Sequence, residues 1–93
     1  MSRCKLLRIA ELGPQHRLSG KVRHYYMGKL LPAAAVLKIY RYVDEPGYYL
    51  VRFDGAGEYM TDTLHDTLEH ALGQAAFEYD GPDLAWRDVG QTH

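Results

Sequence analysis

Ninety-three residues suffice for one hydrophobic core and are too few for two, and a 46% hydrophobic fraction beside 25% charged residues excludes the apolar-poor make-up of disordered chains. The net charge of −1 hides an asymmetry, because residues 1 to 41 carry nine Lys or Arg against Glu11 alone, whereas residues 42 to 93 carry two against eleven acids. Cys4 is the single cysteine, which excludes an intrachain disulfide and a Cys-rich zinc site within one copy and makes a reducing compartment the expectation.

The chain opens Met1-Ser2-Arg3-Cys4-Lys5, and its first apolar pair, Leu6-Leu7, is broken at once by Arg8. That is not the pattern of a signal peptide. Lys5 to Leu12 fits neither helical nor strand periodicity, since Leu6, Leu7, Ile9, Ala10 and Leu12 satisfy neither, and Gly13-Pro14 closes it. Lys21 to Met27 is β-like through Val22, Tyr25 and Tyr26, lies between Gly20 and Gly28, and is expected to add a strand to a sheet edge. Leu30 to Leu37 is the longest weakly polar stretch; it contains Pro32 and is far shorter than the roughly 20 apolar residues that cross a bilayer. The expectation is therefore a cytoplasmic protein with no membrane partner.

Val36 to Val43 reads as a strand with Leu37, Ile39 and Val43 on one parity and Lys38, Tyr40 and Tyr42 on the other. Asp44-Glu45-Pro46-Gly47 supplies a turn. Tyr48 to Phe53 follows as a second strand, in which Tyr49, Val51 and Phe53 alternate with Tyr48, Leu50 and Arg52 and one face is the more apolar. Asp54-Gly55 signals a hairpin into a short strand over Glu58 to Thr61. A helix is expected from Asp66 or Thr67, because Leu64, Leu68, Ala71, Leu72, Ala75 and Tyr79 recur at three- and four-residue spacing. Asp66-Thr67-Leu68-Glu69 has the form of a capping box, and Gly81-Pro82 is the stop. Gly73, within the helix, suggests close approach to the sheet. Trp86 and Val89 read as a tail folding back, since burying a lone Trp is strongly favourable.

These elements make one domain of α+β class, an antiparallel meander of three to five strands with a single main helix across one face. Its sheet-plus-helix core spans 36–89, and the path of the basic segment 1–35 is left open. The segment from Asp62-Thr63-Leu64-His65 through Leu68-Glu69-His70-Ala71 to Gln74-Ala75 and Glu78-Tyr79 resembles the ending of small bacterial proteins of unassigned function. Some small domains of this layout resemble immunity proteins, which neutralise a partner toxin by binding it, and the resemblance implies no site residues.

Three site readings follow. Tyr40, Tyr42, Tyr48 and Arg52 lie on strands too polar to be wholly buried, and Tyr and Arg are favoured where proteins dock, so a protein partner or self-association is the leading expectation. Arg17, Lys21, Arg23, Tyr25, Tyr26 and Lys29 combine cations for phosphates with rings for base stacking, a nucleic-acid module that is the alternative. The net acidic chain disfavours that reading, and the two oppositely charged halves are expected to neutralise each other within the fold or across a dimer. Third, Asp62, His65, Asp66, Glu69 and His70 offer carboxylate–imidazole pairs for a metal or for acid–base work, although the five-residue spacing of the two histidines is not that of a zinc helix. No phosphate loop, serine elbow or Cys–His placement is present, so no catalytic residue and no cofactor is expected.

Overall fold

The computed structural model describes residues 4–89; the Met1-Ser2-Arg3 start lies outside them. The elements are β1 (Cys4–Glu11), β2 (Arg17–Leu18), β3 (Tyr25–Tyr26), β4 (Lys29–Leu30), β5 (Val36–Tyr42), β6 (Tyr48–Phe53), β7 (Tyr59–His65), α1 (Leu68–Glu78), β8 (Tyr79–Asp80) and β9 (Arg87–Asp88). Five of them form an antiparallel sheet in the order β7-β6-β5-β1-β9. The meander β5-β6-β7 is built from β-branched and aromatic residues and turns at polar loops. In the loop after β6, Asp54 Oδ1 accepts from the amides of Ala56 and Glu58, both at 2.9 Å. In the loop before β6, Gly47 has φ +98, and a Cβ there would press on the Leu64 side chain at 2.7 Å.

Two bulges decide which side chains go where. In β1 the register shifts between Leu6 and Arg8, so that Leu6 stands opposite Tyr40 and Ile9 opposite Lys38, while Arg8 and Ala10 stand opposite Ile39 and Leu37. An extra residue in one strand reverses its alternation, which is why Lys5 to Leu12 shows no clean period although all of it but Leu12 lies in β1. The second shift, opposite Arg52 and Phe53, leaves Met60 between the partners Tyr59 and Thr61. Met60 thereby enters the core.

α1 covers one side of the sheet. Leu37, Ile39 and Leu50, all fully buried, meet Ala71 and Ala75 from the helix and Tyr79 just beyond it. Full burial of each aliphatic side chain contributes about 1.5–3 kcal/mol. Leu84 and Trp86 pack against the same cluster as the tail returns, and β9 then pairs with β1, its Asp88 reaching Arg8 at 2.9 Å. The basic and acidic halves thus meet within one chain at this point.

Several details differ from the sequence reading. Thr67, not Asp66, caps the helix, its Oγ1 accepting from the His70 amide at 3.0 Å. The helix ends at Glu78, before Gly81-Pro82, because Tyr79 turns extended and pairs with Leu18. Ser19 satisfies two freed helix carbonyls, through its amide to Glu78 and its hydroxyl to Phe77, both at 2.8 Å. Gly81 has φ +120 and lies so near the Gln15 carbonyl that a Cβ could not fit. Gly73 faces solvent with open space around it, so no close approach to the sheet explains it. Lys21 to Met27 does not extend the main sheet; β3 pairs instead with β4 in a separate ribbon turned at Met27-Gly28, with φ of 51 and 80. No described helix is long and apolar enough to cross a membrane.

Candidate functional site

Strand alternation sends Tyr49, Val51 and Phe53 to the side of the sheet opposite Leu50 and the helix. Their register partners point the same way: Tyr40 opposite Tyr49, Lys38 opposite Val51, Tyr59 opposite Phe53, and Asp62 opposite Val51 on the other flank. Cys4 and Leu6 continue this face from β1 beside Tyr42 and Tyr40. Among the described residues no helix lies over it, because α1 packs on the other side. Here is a depression of about 550 Å³, walled by Tyr40, Tyr42, Tyr49, Phe53 and Tyr59 with Val51 below them, and Cys4, Glu45 and Asp62 complete its lining.

The rings are ordered by one another. Tyr42 and Tyr49 meet edge to face at 5.4 Å and 89°, a geometry that matches ring edge to ring face. The Lys38 ammonium lies 4.7 Å from the Phe53 ring centre. Burial raises the Tyr40 hydroxyl above the usual tyrosine value, with smaller contributions from Cys4 and Tyr42. Tyr59 is also raised, by burial and then by the charge and hydrogen bond of Asp62. The Tyr40 and Tyr59 phenols are therefore neutral near neutral pH.

The sheet divides the four residues proposed for partner docking. Tyr40 and Tyr42 belong to the open face, whereas Tyr48 stands on the helix side, where its hydroxyl accepts from Arg41 at 3.3 Å. Arg52 is 2% exposed and cannot meet a partner. Its guanidinium holds Glu78 with two bonds, Nε to Oε1 at 3.0 Å and Nη2 to Oε2 at 2.5 Å, and also reaches Thr63 Oγ1 at 3.2 Å. Gln74 donates to the same carboxylate at 2.7 Å. Burial pushes the Glu78 carboxyl up, but the Arg52 and Gln74 hydrogen bonds with the Arg52 and His24 charges outweigh it, and the net direction is down. The His24 imidazole approaches Glu78 at 3.2 Å, yet its N–H is not aligned for a hydrogen bond.

Charge on a strand made Arg52 read as surface. The signal that opposed this was Glu78, which follows Ala71 and Ala75 at helical spacing and so shares their buried face. Tyr49, Phe53 and Tyr59, which complete the open face, were not singled out, because Tyr49 and Phe53 sit on the more apolar parity of β6 and Tyr59 lies in a short strand beside a turn.

The metal or acid–base group is also divided. Asp62 lines the open face while His65, three residues on, lies on the helix side with Nε2 at 2.7 Å from Thr63 Oγ1. Among the described residues no three His, Cys, Asp or Glu converge as metal ligands would. Partial burial and then the Arg52 charge lower the His65 pKa from the usual 6.5. The basic set is spread over β2, β3, β4 and the turns between them. Tyr25 and Tyr26 are well exposed on the ribbon, Arg17 pairs in register with Asp80, and the Lys21 ammonium lies 5.1 Å from the Phe77 ring centre. Two of its cations are thus placed beside groups of the acidic half. Comparison with protein-family models, with curated proteins and with solved structures finds no match.

Proposed function

We propose that this domain works without catalysis, by docking another protein on the open face of its sheet. The observation that supports the reading is an uncovered sheet face with five aromatic side chains around one depression. Buried aromatic anchors dominate binding energies between proteins, and a contiguous apolar patch on a small domain marks an interaction surface. The patch also continues past Tyr59 into a second hollow of about 310 Å³ that includes Tyr26 and Pro32.

Replacing Tyr40 and Tyr42 with Ser tests the reading. Neither side chain belongs to the core cluster, so the variant is expected to keep the parent's circular dichroism while losing complexes that the parent recovers from lysate after nuclease treatment. A second variant, Arg23→Ser with Lys29→Ser, which alters exposed basic positions outside both hollows, is expected to keep them. An unchanged set of complexes in the Tyr40/Tyr42 variant removes the docking reading, and loss of the complexes on nuclease treatment transfers the function to the basic ribbon and nucleic acid.

A further inference from the structure

We propose that the depression on the open face is a receptor for an organic cation, the guanidinium of an arginine carried by an extended segment of the docked protein. This rests on the docking reading and adds the chemistry of its anchor. Aromatic rings present negative faces to a cation, and the five rings here are joined by two carboxylates, Glu45 and Asp62, with no Lys or Arg in the lining. An anion meets repulsion from that set. A neutral apolar group would cover both carboxylates and desolvate their charges without compensating them, at a cost that a cation offsets. Lys38, on the same face, already has its ammonium over Phe53, so this surface holds a cation on a ring in its resting state. The four tyrosines are left for a second one.

Arginine fits better than lysine. Its planar guanidinium stacks on a ring while its edge takes a carboxylate through two parallel hydrogen bonds, which a compact ammonium cannot do. A protein segment, in place of a free small molecule, is indicated by the sheet edge beside the depression. β7 is the terminal strand of the sheet, without a strand partner on its outer side among the described residues, and it carries Tyr59 and Asp62. A segment pairing with that edge would project alternate side chains toward the rings.

The test uses the whole chain and a short blocked peptide with one central arginine between valines, followed by the NMR signals of the tyrosine rings. The arginine peptide is expected to shift Tyr40, Tyr42, Tyr49 and Tyr59, and a glutamine version to bind about tenfold more weakly or worse. The variant Glu45→Gln with Asp62→Asn, both at exposed positions, is expected to lose about tenfold for arginine and little for glutamine. Equal binding of the two peptides, or full arginine affinity without the carboxylates, overturns the cation receptor and leaves the docking reading standing. Rings unmoved by either peptide also overturn it. Ring shifts that grow with protein concentration in the absence of peptide show a second copy on the face and overturn the assignment to a different protein.

Discussion

Arg52 sits in the middle of a strand face otherwise lined by Leu50 and Tyr48, and a lone guanidinium there would carry a desolvation cost of several kcal/mol. Glu78 offsets that cost because the helix stripe that brings Ala71 and Ala75 to the sheet continues to position 78 and aims a carboxylate at the same spot. Removing one partner leaves the other buried and uncompensated. Glu78→Ala is therefore expected to lower stability by about 3–5 kcal/mol, measured by urea unfolding. The double replacement Arg52→Met with Glu78→Leu is expected to cost much less than the two single changes together, because hydrophobic residues of similar volume need no partner. Additive losses would show that the pair is not coupled. Tyr40 and Tyr42 owe nothing to this network, which is why changing them separates docking from folding.

At the scale of elements, the junction between β7 and α1 rests on Thr67. Thr67→Ala deletes the oxygen that accepts from the His70 amide and is expected to cost about 1 kcal/mol, whereas Asp66→Ala, one position too early to cap, is expected to shift the urea midpoint far less. The reverse ranking would return the cap to Asp66. The limits of β5, β6 and α1 were legible within a few residues, because uninterrupted alternation and a continuous helical stripe each bury one face. Sequence periodicity failed where a bulge intervened. Leu7 hides the strand character of β1, and Met60 is turned into the core by an irregularity that depends on its neighbour strand. The candidate site was legible in Tyr40 and Tyr42 only. That the buried parity of β6 includes Arg52 depends on a partner 26 residues away, Glu78, which the pattern of β6 by itself does not show.

For the whole molecule, one helix and a returning tail cover one side of a five-stranded sheet, and acid is expected to loosen that cover in two stages. His65 titrates below its usual 6.5, so over the interval between the two values the unfolded chain binds more protons than the folded one, and stability falls as pH drops below about 6.5. The groups responsible are burial and the Arg52 charge, with His70 acting the same way and Glu78 and Asp66 against it. Glu78 is also lowered, from 4.5, so the stability its ion pair contributes is complete above that value and is lost as pH falls through the depressed one. Both groups act in the same direction. The urea midpoint is expected to decline as pH drops below about 6.5, where His65 acts, and to fall further as pH drops below about 4.5, where Glu78 acts. His65→Gln, which keeps a polar partner for Thr63, is expected to lessen the first decline and leave the second intact. An equally steep first decline in that variant would move its origin away from His65, and a midpoint that rises with acid would contradict the sign for both groups.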